Sequence, residues 1–441
     1  MKPGATGGKP HAVDLDPHVE TTTLDNGLAV TSVALPHLHT SVCALFVKIG
    51  ARFETPDDNG LSHFVEHMLY RGTERYPTSL ALNTAVERLG STLHAETGRH
   101  DSLFQLALEP ANIDAGIALL GELMTRPRFA DIELERELIL EELNEDYDEH
   151  DVEVNPHDIA RGLVFADHPL GQRIIGPRAN VRRFTQADVQ RHFASYYGAR
   201  NASLCVAGPV EHGRIVESAM RHMSQLQPGR RVELDAAPAP VDQRRLRHVR
   251  ESGSQTSLSI LFRAIPELDP RFVAQAALLR VLDDGMSTRL HYTLSDQKGL
   301  AYAPQAGVDI LADTALFEIT AATANAKVPT LVREVLSLLD GLRAGKISDD
   351  ELAKVRVRFR YDALASLDDA GTMAGTYGAT PLYYPLPPVS QQLEQMAKLS
   401  IDDVVQAAHD VLAPDHLVLA AVGTLSRARL GELRQTVADW R

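Results

Sequence analysis

Two short apolar runs, LCVAGPV at residues 204–210 and VLAAVGTL at residues 418–425, echo one another. Each comes near the end of a stretch of about 200 residues, in which strand-like alternation and helix-like periodicity intermix. A repeat of that length requires one α+β unit to be built twice, and 441 residues exceed what a single core ordinarily holds. Three prolines and little periodicity mark residues 226–242 as the linker between the copies. The organisation expected is a loose tail over 1–18, an N-terminal unit over 19–225, the linker, and a homologous C-terminal unit over 243–441.

Within the first unit, Asn26-Gly27 reads as a hairpin turn and residues 40–52 as a buried strand. Ser62 is the expected N-cap of a helix beginning at His63. Further helices are expected at 79–89, before Pro127, over 131–149 and over 186–197, with two strands in STLHAETGRHDSLFQLALE. The second unit repeats the pattern, with helices at 271–284, 288–298, 328–344 and 348–365. SLDDAGTMAGTYG, residues 366–378, is Gly-rich without the lysine of a phosphate-binding loop, so it reads as a loop or helix break. Arg244, Arg245, Arg247 and Arg250 read as a solvated strand face.

A net charge of −15 argues against general nucleic-acid binding. No apolar run approaches the ~20 residues of a membrane span. The first residues carry no apolar segment of the signal-peptide kind, which makes the cytoplasm the expected compartment, or the periplasm for a chain beginning after a removed leader. Cys43 and Cys205 sit in apolar runs and are expected to be free buried thiols.

The chemistry is concentrated in HFVEHMLYRG, residues 63–72. His63 and His67 are one helical turn apart, so both imidazoles can grip one ion. Glu66 borders that face, where a carboxylate can take a proton from water at the metal. The order H-x-x-E-H inverts the familiar H-E-x-x-H of zinc peptidases. A third ligand must come from another helix. The acidic segment DIELERELILEELNEDYDEH supplies Glu135 and, two turns on, Glu142. Leu134, Leu138, Ile139 and Leu143 form a stripe expected to pin it to the core, and spacing leaves Glu141, Glu142 and Glu145 all open.

Taken together, these stretches resemble the pitrilysin family of inverted zinc peptidases, in the short-chain branch that includes the mitochondrial processing peptidases. The resemblance rests on His63-Phe-Val-Glu66-His67 and on Glu135-Arg136-Glu-Leu-Ile-Leu-Glu-Glu142. LDNGL, HMLYRGT, HPLGQRIIGP, FASYY, GMSTRL and KGLAY follow in the family's order, covering roughly residues 20 to 435. It implies an α+β fold of two homologous domains, each a mixed, mainly antiparallel sheet packed with helices. It implies one Zn²⁺ per chain on His63, His67 and Glu142, with Glu66 as general base and Glu135 as a supporting carboxylate. The activity implied is endopeptidase action on short or unfolded peptides within a chamber. His94, Ala95 and Thr97 match an edge strand that lines the site and pairs with extended substrate, although the family usually has Asn where His94 stands.

In the second half the family form is Leu-Arg-x-x-x-Gly-Leu-x-Tyr, whose Arg and Tyr contact substrate. Here Tyr302 is present, but Ser295 occupies the arginine position. A serine lacks the forked positive charge of a guanidinium. In some short-chain members of the family a sister subunit supplies these residues, so the resemblance implies a dimer in which a paralogous subunit supplies an Arg/Tyr pair. The alternatives are a self-sufficient homodimer and a non-proteolytic structural member of the family.

Overall fold

The structure, a computed structural model, describes residues 15–240 and 244–441. Most of the expected tail (residues 1–14) and the end of the expected linker (241–242) lie outside the described residues. Two sheets organise the chain. The first contains β1 (His18–Thr23), β2 (Ala29–Ala34), β3 (Ser41–Val47), β4 (Leu93–Thr97), β5 (Ser102–Leu108) and β6 (Ala202–Gly208), in the order β1-β2-β6-β3-β5-β4. The second contains β7 (Arg245–Val249), β8 (Gln255–Ala264), β9 (Gln305–Ile310), β10 (Ala315–Ala324) and β11 (Val418–Val422), in the order β7-β11-β8-β10-β9.

Without β1 the two orders are the same. In each sheet one outer pair is parallel, β2 with β6 and β7 with β11, and the remaining pairs are antiparallel. The runs LCVAGPV and VLAAVGTL, whose likeness pointed to a duplication, are thus equivalent strands. The Asn26-Gly27 turn joins β1 to β2, with Gly27 at φ 95°.

Both faces of the first sheet are buried. Along β3, Cys43, Leu45 and Val47 face one core, and Val42, Ala44 and Phe46 face another. The first core is closed by helices of the same half, including Leu61–Leu69 and Ile113–Thr125. The second is closed by Ala370, Met373 and Ala374 on the helix Ala370–Gly378, which comes from the other half. Reciprocally, Ile159, Ala160 and Phe165 on the helix Pro156–Phe165 of the first half cover Leu261, Leu316, Val418 and Ala420 of the second sheet. The halves exchange one helix each.

The reading of SLDDAGTMAGTYG as a loop or helix break holds for its start alone, and Ala370–Gly378 is helix. Only Leu367–Asp369 interrupt the helices, and Asp369 caps the next one by accepting from the Thr372 N–H. Glycine disfavours helix by about 1 kcal/mol per residue, but here small residues let the helix lie close on the sheet. Close packing outweighs propensity.

Arg52, its side chain 1% exposed, binds both Asp313 carboxylate oxygens at 2.6 and 2.7 Å, tying the first half to the β9–β10 turn. Residues 227–240 form neither strand nor helix. They are held at Val232, whose N–H donates to Asn201 Oδ1, and at Ala237, whose N–H donates to Asp313. Of the four arginines expected on a solvated face, Arg247 and Arg250 are exposed, whereas Arg244 and Arg245 are part-buried and donate to the carbonyls of Val437, Ala438 and Leu163. Cys43 and Cys205 are buried free thiols on opposite faces of the sheet. Among the described residues, no helix is long and apolar enough to cross a membrane.

Candidate metal centre

The helix Leu61–Leu69 carries the H-x-x-E-H stretch. Phe64, Val65, Met68 and Leu69, all fully buried, fix one side of it against the core. His63, Glu66 and His67 are left on the other. The helix starts two residues earlier than expected. Gly60, at φ 104°, is the N-cap, and Ser62 lies inside the first turn. The capping oxygens come from Glu54, whose carboxylate accepts from the N–H groups of Gly60 at 2.8 Å and Ser62 at 2.6 Å.

The acidic helix is shorter than expected, running Ile132–Glu142 and tightening into a 3₁₀ turn over Leu143–Glu145. Its apolar stripe is also narrower. Ile139 and Leu143 are fully buried, whereas Leu134 and Leu138 are 53% and 50% exposed. Arg136 replaces them as an anchor by donating to the carbonyls of Val181 and Phe184. This seat turns Glu135 inward, with its side chain 6% exposed, and brings Glu142 over the two histidines. Glu141 instead accepts from Asn144; all three candidate glutamates are exposed, and Glu142 is the one set opposite the histidines.

His63 Nε2 lies 3.7 Å from Glu142 Oε1, and His67 Nε2 lies 3.5 Å from Glu142 Oε2. One ligand atom from each of the three residues can be chosen so that all lie within 4.8 Å of one another. Those separations are long for hydrogen bonds. They are close to the edge of a tetrahedron around zinc, about 3.3 Å for ligand bonds of 2.0–2.1 Å. His67 Nδ1 is 3.1 Å from Glu135 Oε2, and Arg71 pairs with the other Glu135 oxygen. A hydrogen bond from Nδ1 leaves the Nε2 lone pair free for an ion. The donor set and its geometry fit zinc.

Electrostatics point the same way. Burial pushes His63 down to about 4. Burial also opposes charge on His67, but Glu135 and Glu142 outweigh it and hold that imidazole up, to about 9. The site therefore attracts one positive charge, carried by a proton on His67 or by a cation in its place. Burial raises the Glu66 carboxyl above its ordinary range, against a hydrogen bond from Thr97.

A cavity of about 750 Å³ opens onto the cluster. His63, Glu66 and Glu142 form one wall, Ala95, Glu96 and Thr97 of β4 another, and Asp309, Ile310 and Leu311 of the second half face them. Strand pleating separates the expected substrate residues. Leu93 and Thr97 are buried, while the His94 and Glu96 side chains are exposed, Glu96 where it lines the cavity. Ala95 and Thr97 line the cavity and His94 does not. Tyr302 is 94% exposed and is likewise absent from the cavity wall. Ser295 Oγ donates to the Tyr302 carbonyl at 3.4 Å, on a π-turn where a regular helix was expected.

Sequence reading missed Glu54 and Arg71. Arg71 had a signal, since it follows His67 by one helical turn. Glu54 had none, because its role depends on a fold-back of the chain.

Comparison with known proteins adds to this geometry. The family described as "Insulinase (Peptidase family M16)" matches residues 29–178, and that described as "Peptidase M16 inactive domain" matches 183–358. A protein of Rickettsia felis named uncharacterized zinc protease is 26% identical, with 88% of this chain and 94% of that one covered. Another of that name, from Streptomyces coelicolor, is 26% identical over 95% and 93%. Mitochondrial-processing peptidase subunit beta of Saccharomyces cerevisiae is 25% identical over 93% and 92%. Two crystal structures share the fold. A protease from Helicobacter pylori superposes with TM-score 0.82 at 23% identity, covering 93% of this chain and all of that one. A peptidase M16 inactive domain from Pseudomonas fluorescens gives 0.83 at 19%, covering 92% and 98%.

Proposed function

This chain belongs to the M16 peptidase family, and from that premise we propose that it is a zinc-dependent endopeptidase acting on short or unfolded peptides inside a chamber. The observation that carries the proposal is the convergence of His63, His67 and Glu142 on one point at the wall of a cavity that Glu66 also lines.

His63, His67 and Glu142 would hold one zinc ion per chain. When bound, zinc supplies Lewis acidity to the attacking water and the scissile carbonyl. Glu66 takes the water proton as attack proceeds and returns it to the departing amine. Glu135, braced by Arg71, keeps His67 turned so that Nε2 faces the ion. The free edge of β4 receives an extended peptide through main-chain hydrogen bonds. That mode favours unfolded segments over any strict side-chain code.

A second chain completes the substrate site. Tyr302 is fully available at the surface yet lies off the cavity wall, and Ser295 beside it has no positive charge to offer. A paralogous subunit bearing an Arg/Tyr pair would supply both, with a homodimer as the competing arrangement. A purely structural role is disfavoured by the intact cluster.

The test is zinc content alongside turnover of internally quenched peptides. His63→Ala, His67→Ala and Glu142→Gln each bring zinc well below one per chain, while Glu141→Gln and Glu145→Gln retain it. Glu66→Gln keeps its zinc and loses roughly 10²–10⁴ in turnover. Metal loss in Glu66→Gln would make Glu66 a ligand. A zinc-loaded chain inert toward every peptide, alone and with its paralogue, would establish the structural role.

A further inference from the structure

We infer that Thr97 is the positioning residue for Glu66. Its hydroxyl donates to the carboxylate, not to a peptide, and holds it in the orientation for proton transfer. The inference rests on Glu66 being the general base.

Thr97 is the last residue of β4, the free edge of the first sheet. Its partner across the pleat is Ser102, and the alternation that leaves the His94 and Glu96 side chains exposed turns Thr97 inward, to 6% exposure. Thr97 Oγ1 donates to Glu66 Oε2 at 2.5 Å. A threonine hydroxyl has one proton, so with that proton on Glu66 the group can only accept from a peptide, not donate to it. The branched Cβ restricts χ1 in a strand, which fixes the direction of that bond.

The platform beneath Thr97 is rigid. Gly98 N–H donates to the Asp101 carbonyl, and Ser102 Oγ donates to the Ile49 carbonyl. Arg52 N–H donates to the Arg99 carbonyl. At Gly50 a Cβ would meet the Gly98 oxygen at 2.3 Å, so the chain after β3 is pressed against the hairpin end.

With Oε2 held by Thr97, Oε1 carries no part of that bond and is the oxygen we assign to the water. The strand that aligns an extended peptide by its backbone thereby aligns the base by a side chain, and one element sets both partners of the reaction. Loss of the hydroxyl should slow the chemical step without weakening peptide binding.

The experiment compares Thr97→Val, which keeps the shape, with Thr97→Ser, which keeps the donor. Both are assayed as zinc-loaded full chains, with the sister subunit where activity requires it. Thr97→Val is expected to lose about ten- to hundred-fold in kcat with KM nearly unchanged. Thr97→Ser stays within a few-fold of the parent, and all forms hold one zinc. In a Glu66→Gln background, Thr97→Val adds little further loss, because the two act as one unit. Should Thr97→Val not fold, Thr97→Ala, which only removes atoms, carries the same comparison. Parental kcat in Thr97→Val overturns the inference, as does Thr97→Ser being as slow as Thr97→Val. A rise in KM at constant kcat would make Thr97 a substrate contact instead. Failure of the underlying reading shows separately, as undiminished turnover in Glu66→Gln itself.

Discussion

Gly378, on a helix of the second half, lies so close to Phe46 in β3 of the first that a Cβ on the glycine would meet the ring's Cε2 at 2.2 Å. The Cys205 Cβ would be 3.0 Å away. The crossing helix seats on the first sheet because that position has no side chain. Gly378→Ala should therefore cost stability by overpacking, about 1–3 kcal/mol, despite alanine's better helix propensity. Urea denaturation checks it. A variant as stable as the parent would show that the seat yields freely.

His67 Nδ1 rests on Glu135 Oε2 at 3.1 Å, and the other Glu135 oxygen pairs with Arg71. Glu135→Ala should weaken zinc binding by about 10–100-fold while leaving all three ligands in place. Competition with a chelator of known affinity gives the value. Unchanged affinity would reduce Glu135 to a packing role.

If His67 ligates zinc as proposed, protons and zinc compete there. Its imidazole is raised to about 9 in the metal-free protein by two carboxylates that outweigh burial. Below that pH, binding zinc must expel a proton, so apparent affinity should fall by about ten-fold per pH unit from about 9 downward. Without metal the sign reverses for stability. A pKa above the unfolded value near 6.5 contributes stability that is fully present below pH 6.5 and is lost as pH rises through about 9. Melting of the metal-free protein between pH 6.5 and 9, with and without His67→Gln, reads this contribution. A slope unaltered by His67→Gln would place the extra proton elsewhere.

The Ser295–Tyr302 loop sets the expectation for the isolated chain. An arginine near the substrate would donate charge-assisted hydrogen bonds, about 1.5–3 kcal/mol each, worth one to two decades in rate. Weak hydrolysis by this chain alone is expected, rising at least ten-fold with a paralogous subunit that carries Arg and Tyr in the equivalent loop. Changing the partner's arginine to alanine should remove the gain. Full activity from this chain alone, unaffected by any partner, would leave the homodimer as the arrangement. Ser295→Arg tests the same point within one chain.

Much of this protein was legible in its sequence because the relevant signals are local. The duplication shows in two strand sequences. The Asn26-Gly27 hairpin follows from turn chemistry, and the pairing of His63 with His67 from helical spacing. What failed was whatever required two distant segments to meet. The stripe on the acidic helix read as four inward leucine-type residues, yet only Ile139 and Leu143 are buried, because Arg136 reaches the Val181 and Phe184 carbonyls and sets the helix's roll. Spacing could not separate Glu141, Glu142 and Glu145, and the family resemblance pointed to Glu142. That roll is what sets its carboxylate opposite both histidines.

The sequence by itself determined that one α+β unit is built twice and that two histidines and a glutamate share a helix face, since periodicity is a property of neighbouring residues. Only the tertiary structure decided that the halves exchange helices, that Thr97 spends its hydroxyl on Glu66, and that Tyr302 stands away from the cavity. Each of those depends on how separately folded segments pack, where close contact and hydrogen-bond satisfaction override local preference.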